Sequence, residues 1–149
     1  MSPCARTRSR SGAARGNGRG RPPGAAGGTA VDGRRVPVPA LIGIDPAVEF
    51  APLHVHDTSG VIHVESPTVR GYTLGQFFAV WGVRFTPSCL GGYCAGGPRR
   101  LRVFVDGTAV RGDPTALALE LHQEIVVAFG TAAQLPSPIP SAYRFPPGE

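Results

Sequence analysis

Apolar and polar residues alternate on either side of a short polar segment in Leu53-His54-Val55-His56-Asp57-Thr58-Ser59-Gly60-Val61-Ile62-His63-Val64-Glu65. Two β-prone runs around a Gly-ended turn predict a β-hairpin. A turn over Asp57–Gly60 sets His54 opposite His63, Val55 opposite Ile62 and His56 opposite Val61. Side chains alternate faces along a strand, so Leu53, Val55, Ile62 and Val64 share one face. His54, His56, His63 and Glu65 share the other. Directly opposed side chains have Cβ atoms roughly 4.5–5.5 Å apart, which brings two imidazoles within reach of one ion.

The period changes to that of a helix at Thr73-Leu74-Gly75-Gln76-Phe77-Phe78-Ala79-Val80-Trp81-Gly82. Leu74, Phe77, Phe78 and Trp81 fall at i, i+3, i+4 and i+7, a stripe for burial. Thr73 and Gln76 have capping-box spacing, and Gly82 stands where a left-handed C-cap belongs. The stripe reads as core rather than as a cofactor site.

Elsewhere the pattern predicts strands. Leu101–Val105 alternates, and Asp106-Gly107 turns it back through Thr108–Val110. Pro114–Leu121 crosses over, Glu124–Phe129 is a central strand, and Gly130 ends it. Val31-Asp32-Gly33-Arg34 carries the same Asp-Gly signature of a type I′ turn, so Val-Asp-Gly occurs twice and hints at repeated hairpin geometry. Arg35–Pro39 alternates with prolines that confine it to a sheet edge. The turn at Asp32-Gly33 needs a strand before it, and Gly27–Ala30 is poor material for one. The expectation is that the proper first strand is missing. Leu41–Ile44 is a short apolar run, and Val83–Arg100 reads as a linker.

Hairpin, helix, strand, short return and strand define an α+β fold. One helix packed on a mixed sheet of four or five strands is the β-grasp arrangement of ubiquitin and sulfur-carrier proteins. The segment from Val103 to Val127 is similar to the C-terminal half of that fold. A shared fold implies no shared activity, and a sulfur-carrier role is set aside because no Gly-Gly pair ends the chain after its last strand.

Composition sharpens the domain limits. The 149 residues include 15 arginines and no lysine, with 10 acids. Residues 1–30 hold Arg6, Arg8, Arg10, Arg15, Arg19 and Arg21 and no acid. The basic pI of about 9.9 therefore describes this segment, and the remainder is close to neutral. Rich in Arg, Gly, Ala and Ser, residues 1–30 bury too little apolar surface to offset chain entropy, so a disordered tail is expected. The segment lacks aromatics to stack on bases, which argues against nucleic-acid reading. The domain is expected over 31–130, with a Pro-rich flexible tail over 131–149. There is no apolar run long enough to span a membrane and no apolar h-region of a signal peptide. Cys89 and Cys94 are free to pair or to bind metal, which leaves Cys4 alone. No GxSxG, HExxH or phosphate-binding Gly loop is present, and no catalytic constellation is found.

Five stretches together resemble a family of prokaryotic proteins, usually exported or membrane-tethered, that is defined by shared text rather than by an activity. They are Ile42–Ile44, Leu53–Pro67 with its HxHDxSGxIHxESP pattern, Tyr72–Gly82, Val103–Gly107 and His122–Gly130. The resemblance spans roughly residues 31–131. It implies an extracytoplasmic location, a metal site, and a further His-rich strand before the first Asp-Gly turn, where this chain has its Arg/Gly segment. A truncated or misplaced start is the corresponding expectation. An exported setting suits a Cys89–Cys94 disulfide.

Imidazole with carboxylate suits zinc, copper or nickel. His54, His56 and His63, assisted by Glu65, are therefore the candidate ligands, with copper or zinc the expected ion. Asp57 reads as a turn-capping residue and His122 as a corner residue before the last strand. The competing reading is a non-enzymatic adaptor that takes a protein partner on its sheet face or open edge. A metal-dependent enzyme stands third, for want of a general base.

Overall fold

The computed structural model describes residues 11–15, 28–47, 50–66 and 70–145, the first of these as backbone only. Disorder expected for 1–10 and 16–27, the fate of Cys4, and the ends of the loop after Ser66 and of the C-terminal tail lie outside the described residues. Ten strands and one α-helix form an α+β fold.

The sheet is built on β10 (Gln123–Gly130), a strand buried along its whole length. Its run of Ile, Val, Val and Phe suits a strand covered on both faces. One edge pairs antiparallel with β8 (Arg100–Val105), which returns through Asp106-Gly107 to β9 (Thr108–Ala109). The other edge pairs in parallel with β2 (Gly28–Val31), itself joined through Asp32-Gly33 to β3 (Arg34–Val36). The five strands thus run β3-β2-β10-β8-β9. A second arm extends from the Gln123 end of β10, where β1 (Ser11–Arg15) pairs in parallel with it and antiparallel with β5 (Val61–Val64). Beyond β5 lies β4 (Leu53–His54). With this arm the described sheet has eight strands, and the five around β10 make up the mixed sheet expected.

The two Val-Asp-Gly segments do the same job at opposite ends of β10. Asp32 and Gly33 have φ of 50° and 76°, and Asp106 and Gly107 have 49° and 81°, the doubly positive φ of a type I′ turn. Asp32 N–H donates to Phe129 O at 2.7 Å and Asp106 N–H to Glu124 O at 2.9 Å. Asp106 Oδ1 also accepts from Glu124 N at 2.9 Å. Because β2 is parallel to β10 and β8 antiparallel, one motif closes each end.

The missing first strand is a correction: Gly28–Val31 fills that place. Its intrinsic preference is poor, but four consecutive residues pair with β10 from Val126 to Phe129, and Thr29 is buried beneath the helix face. Tertiary pairing overrides propensity here. This strand therefore begins three residues before Val31.

Helix α1 (Leu74–Trp81) has the anticipated caps: Thr73 Oγ1 accepts from Gln76 N, Gln76 Oε1 accepts from Thr73 N, and Gly82 adopts φ 74°. Leu74, Phe77 and Phe78 are buried against Ile125, Val127, Phe129, Val103, Ile62 and Val64. The alternate residues of β10 face the other way. Residues 131–145 make contacts near both ends of this strand. Gln134 packs on Gly33 and Gly130 at one end, Ser141 lies against Gly107 at the other, and the Phe145 ring is tilted against His122 with centroids 4.1 Å apart. Pro140 is buried.

The expected linker 83–100 contains a two-stranded sheet of β6 (Cys89–Leu90) and β7 (Tyr93–Cys94). It is tied to the main sheet by Arg99, whose guanidinium forms a two-pronged ion pair with Asp32 and lies 4.9 Å above the Phe129 ring.

Candidate metal centre

In the Leu53–Val64 hairpin, Leu53 pairs with Val64 and His54 with His63, the register set by a turn over Asp57–Gly60. The turn is held locally, with Asp57 Oδ1 accepting from Ser59 N at 2.7 Å and Ser59 Oγ accepting from Val61 N at 3.2 Å. Leu53, Val55, Ile62 and Val64 all enter the core. The ladder stops at His54, so His56 lies beyond the strand in the bend. Its ring nevertheless turns back over the other two.

The three imidazoles form a closed set. Ring centroids are 4.8 Å apart for His54 and His56, 4.6 Å for His56 and His63, and 5.5 Å for His54 and His63. Two imidazoles on one four-coordinate zinc, each with its nitrogen about 2.0–2.1 Å from the ion, have centroids roughly 5 Å apart. Glu65 stands exposed just past β5, its N–H donating to Pro52 O at 2.9 Å.

His54 is only 1% exposed. The segment before the hairpin causes this. Val55 N donates to Ile42 O at 2.9 Å and Ala51 N to Gly43 O at 2.8 Å, which brings Ile42, Gly43 and Ala51 against the hairpin. Gly43 has φ 69°, and a Cβ there would run into Leu53 O, so this approach requires glycine. The same fold-back places the Ala51 carbonyl 2.9 Å from His54 Nδ1. A carbonyl can only accept, so Nδ1 is the donor, and in the neutral ring that leaves Nε2 the lone pair.

That Nε2 is buried and, among the described residues, has no hydrogen-bond partner. Leaving a buried polar atom unsatisfied costs about 1–3 kcal/mol, so such atoms call for an explanation. The rings around it are His56, His63 and Phe50, the last with its centroid 5.4 Å from His54 and 6.2 Å from His56.

Among the described residues, no group of three or more His, Cys, Asp or Glu side chains could hold a metal ion as the side chains stand. A metal lies in the plane of the imidazole that binds it, yet the His54 and His63 planes are inclined by only 14° while the rings stack.

Cys89 and Cys94, opposed across β6 and β7, are joined as a disulfide with Cα atoms 4.1 Å apart. His122 forms the corner before β10 with φ 61°, its ring tilted against that of Phe145. Sequence patterning missed Phe50, Gly43 and Ala51. A lone Phe between Glu49 and Ala51 carries no period, although the glycine inside Leu41–Ile44 was a signal of close backbone approach.

No helix among the described residues is long and apolar enough to cross a membrane. No protein-family model, curated protein or solved structure matches the chain.

Proposed function

We propose that the chain is a β-grasp domain that binds a divalent metal ion, zinc or copper, through His54, His56 and His63, with Glu65 assisting. The fold reading is supported by the order β3-β2-β10-β8-β9, with a hairpin strand parallel to the last strand and the helix on one face. The observation that carries the metal reading is the buried Nε2 of His54, without a hydrogen-bond partner among the described residues, on a ring packed against two further imidazoles. A metal–nitrogen bond would satisfy it. The half-buried His63 is the ring that turns about its Cβ–Cγ bond to bring its nitrogen to the same ion, while His54 stays fixed by Ala51. Such an outer-shell carbonyl sets the tautomer and orientation of a ligating histidine.

The site would serve metal storage, delivery or sensing, and the Cys89–Cys94 disulfide suits an extracytoplasmic setting. The adaptor reading has less to stand on. The β3 edge carries Arg34, Arg35 and Pro37, which discourage strand addition, and β4 and β9 are two residues long each.

Calorimetric titration with Zn²⁺ and Cu²⁺ of the full chain and of the His54→Ala/His63→Ala variant tests the proposal. One ion per chain is expected, with affinity lowered at least about 100-fold once two of three imidazoles are gone. Equal and negligible binding by both proteins would overturn it.

A further inference from the structure

We infer that the Cys89–Cys94 disulfide is a thiol-exchange site, opened by a dithiol at the Cys94 sulfur and closed by the reverse reaction while the domain stays folded. Nothing in this depends on the metal reading. The bond joins two unequal strands. In β6, Cys89 and Leu90 are each 4% exposed, and Leu90 belongs to the main core. In β7, Tyr93 and Cys94 are exposed, as are residues 95–98 beyond them. One partner of the disulfide is therefore buried and the other open to a reagent. Exposed disulfides are the labile ones, whereas structural disulfides of secreted proteins resist reduction. The partners are five apart in sequence, so the bond closes a small loop and constrains the unfolded chain less than a long-range tie does.

The chemistry follows from that asymmetry. A deprotonated sulfur of the dithiol attacks Cys94 Sγ, a mixed disulfide forms there, and the Cys89–Cys94 bond breaks. Cys89 Sγ leaves with the bonding electron pair as a thiolate and takes up a proton. Ser88 Oγ, 3.8 Å from Cys89 Sγ, stands where it can donate to that thiolate. The reagent's second sulfur then displaces Cys94 from the mixed disulfide, and Cys94 is protonated in turn. Two electrons and two protons pass from the dithiol, which ends as its own disulfide, and the same couple run backwards recloses the tie. Opening leaves the main sheet intact, because β6 and β7 form a separate two-stranded sheet. What it loosens is β7, whose Tyr93 ring lies 5.9 Å from Phe129 and 5.8 Å below the Arg99 guanidinium.

Reduction of the full chain by dithiothreitol tests this, with Cys4→Ser so that no third thiol reshuffles the pair, and with free thiols counted by mass after alkylation. The disulfide should open in native buffer, and denaturing urea should speed the opening no more than about tenfold. The reduced chain should keep its circular dichroism and a cooperative thermal transition, and oxidised dithiothreitol should restore the bond. In the reduced chain a maleimide should label Cys94 at least about tenfold faster than Cys89, peptide mapping separating the two. A reduced Cys-x-x-Cys protein run in parallel distinguishes a protein dithiol from a small-molecule one as the source. Opening that waits for unfolding, at a rate following the unfolded fraction in urea, would overturn the inference. Equal or faster labelling of Cys89 would overturn the assignment of Cys94 as the attacked sulfur.

Discussion

Two hairpins of this chain set a reactive pair directly across an antiparallel ladder: Cys89 opposite Cys94 in one, His54 opposite His63 in the other. Register alone gives the same proximity to both. The surroundings separate them. The cysteine pair closes on itself in a covalent bond, consuming its chemistry to hold a small hairpin whose Tyr93 and neighbouring Arg99 lie against Phe129. The histidine pair is held open. Ala51 takes the proton-bearing nitrogen of His54, Phe50 and His56 cover the ring, and the second nitrogen is left buried with nothing to bond among the described residues. A matched pair is thus a structural tie where the partners can satisfy each other, and a site where the fold prevents it.

The largest test of this contrast removes what holds the histidine pair open. Gly43→Ala places a Cβ against Leu53 O, 3.0 Å from Val80 Cγ1 and 3.2 Å from Ala51 Cβ, at φ 69°. It should cost roughly 2–4 kcal/mol and weaken metal binding as well, because the Ala51 carbonyl moves with it. Urea denaturation and zinc titration read the two effects. A stable variant with unaltered zinc affinity would show that the fold-back does not govern His54.

Opening the cysteine pair should touch stability alone. Cys89→Ser/Cys94→Ser removes a short-loop cross-link worth about 2 kcal/mol, and zinc affinity should hold within about threefold, because distant sites act independently. A large loss of affinity would mean that the two hairpins are coupled. Thr73→Ala strips the side-chain bond to Gln76 N and should cost about 1 kcal/mol in thermal unfolding, without effect on either pair.

The smallest effect concerns Tyr72. A hydrogen bond with Ser66, followed by the Arg70 guanidinium whose Nε lies 2.9 Å from the phenol oxygen, holds its pKa below the ordinary 10.0. A group whose pKa is lower folded than unfolded adds stability as pH rises between the two values and adds none below the folded one. Ultraviolet titration should therefore show one tyrosine ionising early, and Tyr72→Phe should remove that step.

What could be read from the residues was local. The histidine register followed from a Gly-ended polar turn, the helix from Thr73, Gln76 and Gly82, and both type I′ turns from Asp-Gly. What escaped depended on distant partners. Gly28–Val31 is a strand only because β10 offers it a parallel edge. The Pro-rich 131–145 segment has no period to announce that it makes contacts near both ends of β10. The burial of His54 was hidden for the same reason, since it is produced by Gly43, Phe50 and Ala51, none of which alternates with anything. The hairpin's own pattern put His54 on the face it shares with His63, and the chain folding back over that face buries it.

The most direct test of the central claim is a long-range ¹H–¹⁵N spectrum of the imidazole side chains, recorded as zinc is added, with His54→Asn to assign the signals. The account predicts a neutral, Nδ1-protonated His54 in the ion-free protein, and a Nε2 resonance that moves to its bound position at one zinc per chain. An Nε2-protonated His54, or zinc saturation that leaves its Nε2 resonance unmoved, would contradict it.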